Sequence, residues 1–336
     1  DVRTFLSDLH SSRTAYEQAE SFLANGDYVE AIRYYEQVKD IDANYNDAQE
    51  KLSASKESYK QKIVSQAEEY IASGKYAEAV EILNSSLDIL DQDSELQTLI
   101  ITYKKESLSL SLQAYEESGD YAGAIAFGKT VQAEIDADPE LSARMQNCIN
   151  NYRTSILDQA SAAFGEQGYE PAIAKVQEGL TVLTGDEQLT AALAEYQSYI
   201  PVLLFDLTML NGDEDWAKQI SSATDNVGNT YTNGYQIRID TTIWEADERT
   251  YILDGKYSKL EGTLALSEGD RNLYGTAGLA FYGDGNLLGY SEMFTSGVKP
   301  ASFSIDVSGV TDLTIVDIYG YVGHVYLYTS GIFLSK

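Results

Sequence analysis

Up to about residue 200, apolar positions fall three and four apart within runs of Ala, Glu, Gln, Ser and Leu, the spacing of amphipathic helices. After Pro201 the apolar residues take alternate positions, as in Leu260, Leu264 and Leu266, while Thr, Val, Ile and Tyr replace the helix formers. Short strands are predicted at 236–243, 250–253, 258–266, 276–282, 286–291, 301–307, 313–319 and, in one or two pieces, 323–334. Turn signals at Asp254-Gly255, Gly283-Asp284-Gly285 and Ser308-Gly309 separate them. Strands this short and this frequent describe an antiparallel sandwich, with Leu264, Leu279, Phe303, Ile305, Leu313 and Ile315 pointing into its core. Nine glycines precede residue 201 and sixteen follow it, the same change of regime. The chain is predicted to be multidomain, α then β, with an all-α domain over 1–200 and a β-sandwich domain over 201–336.

The helical part repeats itself. Gly26-Asp-Tyr28-Val-Glu-Ala31-Ile32 returns as Gly74-Lys-Tyr76-Ala-Glu-Ala79-Val80, as Gly119-Asp-Tyr121-Ala-Gly-Ala124-Ile125 and, loosely, as Gly168-Tyr169-Glu-Pro171-Ala172-Ile173, at spacings of 48, 45 and about 48 residues. In each copy the Gly ends one helix in a left-handed cap, the Tyr is expected to pack across the corner as a core residue, and the small Ala lets the next helix approach closely. The pattern Ala-x(6)-Gly-x-Tyr-x-x-Ala-Ile, from Ala19 to Ile32, resembles the tetratricopeptide repeat, and the likeness covers most of residues 11–200. That family has a period of about 34 residues. The extra length is expected in the helices: residues 46–73 hold no Gly or Pro and make one rod of about 42 Å. Pro139, after Asp138, suits the first turn of another long helix. The resemblance implies a helical solenoid that acts either as a peptide-binding groove or as a stalk. Lys and Arg are too scattered to clamp a carboxylate terminus, which favours the stalk.

Charge narrows the partners. The formal charge is −30, roughly −20 over residues 1–200 and −10 beyond, so double-stranded nucleic acid and anionic membranes are repelled. One cysteine, Cys148, in a helical pattern, excludes an internal disulfide and a thiolate metal cluster; it reads as a small buried hydrophobe. Two histidines, His10 and His324, give a zinc site or a His relay almost nothing to draw on. No stretch approaches about 18 apolar residues. Because the chain begins with Asp1, a mature form is expected, trimmed of an N-terminal export signal, lipoprotein anchor or membrane helix.

Three segments carry a second resemblance: Tyr251-Ile-Leu-Asp254-Gly255-Lys-Tyr257-Ser-Lys-Leu260-Glu-Gly262-Thr-Leu-Ala-Leu266, Phe281-Tyr-Gly-Asp284-Gly285, and Ile305-Asp306-Val307-Ser-Gly309-Val-Thr-Asp312-Leu-Thr-Ile-Val316. In this order they resemble the NPCBM family of carbohydrate-binding modules, from about Phe205 to the end. The resemblance implies a galactose-binding-like jelly roll of the kind found on bacterial surface and secreted proteins. Sugar sites use flat aromatic faces and planar polar groups. Outside the expected core face these are Trp216, Tyr231, Tyr235, Trp244, Tyr282 and Tyr290, with Arg238, Glu245, Asp247, Arg249 and Asp284. The candidate ligand site comprises Trp244, Tyr235, Arg238, Arg249, Tyr282 and Asp284, with Trp244, at the head of a polar loop, as its best aromatic. Glycan-binding members of the family carry a Gly-hydrophobic-x-His element. The matching place here, Gly234-Tyr235-Gln236-Ile237-Arg238, has no histidine, so either Gln236 and Arg238 act as planar donors or the sugar site is lost. Trp216, after the acidic loop 211–215, is expected to cap one end of the sandwich. Residues 213–215 offer oxygen donors of the kind calcium takes, without the spacing of a known calcium loop, and no cofactor is expected.

No nucleophile motif or deep-pocket carboxylate pair stands out, and the sandwich is too small for a glycosidase barrel. The chain therefore reads as a non-catalytic bacterial surface or secreted protein. Its expected partner is a glycan or cell-wall polysaccharide, with a protein on the repeats as a further option. The alternative is an interaction or envelope-assembly scaffold whose sandwich no longer binds sugar.

Overall fold

The computed structural model describes residues 2–240, 247–320 and 324–336. The chain divides into two compact units, residues 1–155 and 156–336. Its helices are α1 (Val2–Ala24), α2 (Tyr28–Tyr35), α3 (Tyr45–Ala72), α4 (Tyr76–Ser86), α5 (Ser94–Ser118), α6 (Tyr121–Thr130), α7 (Gln132–Ala137), α8 (Pro139–Gln167), α9 (Tyr169–Val182) and α10 (Glu187–Gln197). The added length of the repeat lies in the first helix of each pair: α3, α5 and α8 run for 28, 25 and 29 residues.

Three of the four corners share one mechanism. Gly26, Gly74 and Gly119 have φ of 73°, 72° and 71°, which only glycine adopts without strain. The amide after each glycine donates back across the corner, Asp27 to the Phe22 carbonyl, Lys75 to Tyr70 and Asp120 to Tyr115, at 3.0, 2.9 and 3.1 Å. Gly168 is also left-handed, at φ 88°, but lies at ψ −164°, where it serves as the N-cap of α9. Asp27 and Asp120 then cap the next helix through Glu30 and Gly123. A second repeat of period 45 appears in the charges. Lys60 reaches Asp93 and Glu95 at 3.4 and 2.7 Å, and Lys105 reaches Asp138 and Glu140 at 3.0 and 2.9 Å. In both copies the aspartate also caps its own helix.

The corner tyrosines correct the sequence reading. Tyr28, Tyr76, Tyr121 and Tyr169 are half-buried, and the fully buried corner residues are Ala31, Ala79, Ala124 and Ala172. A tyrosine at the second helix's first turn keeps its wet end in solvent, whereas the alanine three residues on is fully buried. Tyr76→Ala is accordingly expected to lower stability by only about 1–2 kcal/mol, and Ala79→Leu, which overfills the closest approach, by about 1–3 kcal/mol. Urea melts followed by far-ultraviolet dichroism check this; a larger loss at Tyr76 than at Ala79 reverses the assignment.

The switch from helix to strand falls between Gln197 and Val202. The strands are β1 (Val202–Leu203), β2 (Met209–Asn211), β3 (Ala217–Thr224), β4 (Thr230–Asp240), β5 (Glu248–Ile252), β6 (Lys259–Leu266), β7 (Ala277–Gly283), β8 (Asn286–Tyr290), β9 (Ala301–Asp306), β10 (Asp312–Tyr319), β11 (His324–Thr329) and β12 (Ile332–Ser335). They form two antiparallel sheets: β1-β12-β6-β11-β4-β3, with β9 also on β6, and β2-β5-β10-β7-β8. Asp284 and Gly285, both at positive φ, close the β7–β8 hairpin. Asp254-Gly255 has the same dihedral signature but sends the chain from one sheet to the other, since β5 and β6 do not pair. All six residues expected inside the sandwich are buried there, together with Phe281, Leu327 and Ile237. Strand β3, the first half of β4 and the two short opening strands were not foreseen, because 217–224 and 230–235 are too polar to show an apolar alternation. Cys148 is buried among Leu112, Leu141 and Met145. At the foot of the sandwich, Phe164 packs on Tyr196 and Tyr199, and the Lys336 ammonium sits 5.5 Å from the Tyr199 ring centre while donating to Ser198 at 2.7 Å.

Candidate functional site

The described residues among those singled out by sequence do not converge. Trp244 and Glu245 lie outside the described residues. Arg249 is on the inward side of β5, with a side chain only 2% exposed. Its guanidinium pairs with Asp317, itself fully buried, at 2.8 Å and with Asp247 at 3.3 Å, and stacks over the Trp216 ring at 4.8 Å. Trp216 donates its indole N–H to the same Asp317 oxygen at 3.3 Å. Arg249 is thus occupied as an internal counter-ion and does not face solvent as a hydroxyl donor. Gly212, at φ 125°, makes room for it: a Cβ there would fall 2.6 Å from Arg249 Cγ. Asp284 spends its carboxylate on the Thr311 and Asp312 amides. Tyr235 is half-buried with its ring 4.6 Å from that of Phe205, and Arg238, on the same strand, is also half-buried. Tyr282 and Tyr290 share the outer side of the second sheet on adjacent strands, with Thr314 and Thr250 beside Tyr282. Asp213 and Asp215, proposed as calcium donors, respectively cap a short turn and pair with Lys218. Among the described residues no group of three Asp, Glu, His or Cys could hold a metal.

A different place has the shape of a site. The outward residues of β12, β6 and β9 stand in rows: Phe333, Glu261 and Ser304 in one, then Thr263 and Ser302 in the next, where the β12 side is Gly331 with no side chain. The missing side chain opens a groove of about 540 Å³, walled by Phe333, Glu261, Thr263, Ser302, Ser304 and Ser330. Gly331 also lets the ring lie down, since a Cβ there would be 2.6 Å from Phe333 Cζ. Phe333 remains 38% exposed. The floor is Gly262, beneath which the Phe303 ring comes within 3.1 Å of where a Cβ would be. Thr263 and Ser302 hydroxyls hydrogen-bond at 2.8 Å, and Glu261 is ion-paired with Lys259. The arrangement offers one apolar ring face, neutral donors that also accept, and a single carboxylate. The sequence carried a signal for it, the outward-facing Thr263, Ser302, Ser304 and Phe333 on strands otherwise apolar, but hydroxyl residues on a solvent face are too common to single out.

Two further features lie away from this groove. On the helices, Tyr76, Val80, Leu108 and Val131 surround a smaller, mainly apolar hollow of about 210 Å³ flanked by Lys104 and Glu134. At the β3–β4 turn the buried Asp225 accepts from the Val227 and Asn229 amides, the Asn229 side chain and the Tyr231 hydroxyl. Burial pushes its carboxyl up, but these donors outweigh that and hold it below the usual range, while burial and the Asp225 charge push Tyr231 up to about 12. A depressed folded-state pKa contributes stability above the unfolded value of about 3.9 that is lost as pH falls through the folded one. The sandwich should therefore weaken below about pH 4, and Asp225→Asn should be less stable at neutrality with a shallower acid loss. Tryptophan fluorescence melts between pH 3 and 7 test it; parallel pH profiles for the two proteins would remove Asp225 from the acid response.

A tetratricopeptide repeat signature matches residues 14–49. No curated protein matches the chain. Among solved structures, the CBM51-2 and INT domains from Clostridium perfringens ZmpB align at 12% identity and a TM-score of 0.32, over 40% of this chain and 31% of that one. The chain thus spans under a third of that protein's length. The CBM51 from Clostridium perfringens GH95, in complex with methyl-galactose, aligns at 12% and 0.33, over 40% and 99%. A family 6 carbohydrate-binding module from Clostridium cellulolyticum, in complex with xylose, aligns at 15% and 0.23, over 41% and 98%.

Proposed function

We propose that the chain is a non-catalytic glycan-binding protein of the bacterial exterior, whose sandwich, residues 201–336, holds a saccharide in the groove beside Phe333 while the helical repeats act as a stalk. The observation that carries this reading is the groove itself: one exposed ring set among neutral hydroxyls. An aromatic face stacks on sugar C–H groups, and serine and threonine hydroxyls exchange hydrogen bonds with sugar hydroxyls. Open and wet, such a site supports an affinity no tighter than micromolar. Calorimetry on the full chain, guided by a glycan array, tests it. Phe333→Ala should weaken binding by about tenfold or more, the loss of one stacked ring. Loss at Trp244→Ala instead would move the site to Trp244 and its sequence neighbours, and absence of binding to every glycan would leave the scaffold reading. That second reading is favoured by one feature, the apolar hollow at Val80, Leu108 and Val131.

A further inference from the structure

The geometry points to a groove that selects neutral glycans over acidic ones and spans more than a single sugar ring, an inference that rests on the glycan reading above. Among the described residues, the side chains lining it include a carboxylate, Glu261, and neither Lys nor Arg. The nearest cation on β6, Lys259, is ion-paired with Glu261 and stands across from Asp306 on β9, so its charge is already matched. Residues 201–336 carry a formal charge of about −10. A uronate- or phosphate-bearing polymer would bring its charge beside Glu261 and would have to compete with that carboxylate for Lys259, and like-charge juxtaposition at a binding surface is strongly selective. A neutral saccharide meets the opposite situation, because Glu261 can accept from a sugar hydroxyl while Thr263, Ser302 and Ser304 donate or accept as needed. The volume, about 540 Å³, lies within the range of pockets that hold drug-sized ligands, about two or three sugar rings in bulk.

The test uses the full chain and matched tetrasaccharides: those of galactose, glucose and mannose against tetragalacturonate, tetraglucuronate and tetramannuronate, by calorimetry at low salt. At least one neutral tetramer should bind, with its uronate about tenfold weaker or worse, and the gap should shrink as salt screens the carboxylates. Shortening the neutral tetramer to a monosaccharide should lose most of the affinity. In Glu261→Gln the ratio of neutral to uronate affinity should fall several-fold, a readout that a merely structural role for Glu261 would not move. A uronate bound as tightly as its neutral counterpart, or a ratio unmoved by the substitution, overturns the selectivity while leaving glycan binding intact. If no tetramer of either kind binds at millimolar concentration, the glycan reading itself fails and the inference falls with it.

Discussion

Asp317→Ala is expected to destabilise the sandwich by about 3–5 kcal/mol, the penalty for leaving one member of a buried ion pair unmatched. The Arg249 guanidinium is only 2% exposed and so depends on a buried counter-ion. Among the described residues its Nε already has no partner, and losing Asp317 would remove its closest contact, at 2.8 Å, and the acceptor for the Trp216 indole as well. Asp247, at 3.3 Å and half-exposed, is a weak substitute. The double variant Arg249→Met with Asp317→Leu removes both charges and should recover most of the loss, because well-packed apolar replacements of buried pairs are often neutral or better. Trp216 lies in the sandwich core and neither tryptophan of the chain lies in residues 1–155, so fluorescence-detected urea unfolding follows the unit that contains the sandwich. Equal midpoints for Asp317→Ala and the parent would show that the pair is solvated in solution.

That pair also marks where the sequence stops being legible. The inward register of β10 was readable as Leu313 and Ile315, and continuing the alternation puts Asp317 inside; the same parity puts Arg249 inside with Tyr251. Charge argued the other way, and an arginine on a strand was assigned to solvent because burial of an ion is decided by a partner 68 positions away, which no local pattern encodes. The repeat corners were legible for the reverse reason. A left-handed glycine at the end of a helix is a local requirement, and Gly26, Gly74 and Gly119 meet it. The tyrosines beside them were over-read: recurrence shows an equivalent environment, and half-burial is as repeatable as full burial. The groove was invisible because it is made by an absence, the missing side chain at Gly331, whose meaning depends on which strand lies alongside.

Phe281→Ala is expected to carry the second large effect, and it joins the core to the groove. Phe281 is fully buried and stacks on Phe303 with ring centres 4.8 Å apart and planes 28° from parallel. Deleting a buried aromatic ring typically costs about 3–5 kcal/mol, the transfer loss plus the cavity left behind. Phe303 is the neighbour best placed to relax into that cavity, and it is also the ring beneath Gly262 at the groove floor. Its inward movement would lower the floor and withdraw apolar contact from any bound saccharide, so the variant should lose affinity several-fold in addition to stability. Ile239→Ala supplies the comparison: Ile239 is as deeply buried, but β4 is separated from β6 by β11, and its loss should cost about 2–5 kcal/mol with the groove unchanged. Saccharide titrations at a temperature where both variants remain folded separate the cases. A fall in affinity common to the two would mean that binding follows global stability, whereas a fall confined to Phe281→Ala would tie the ligand to the floor that Phe303 supports.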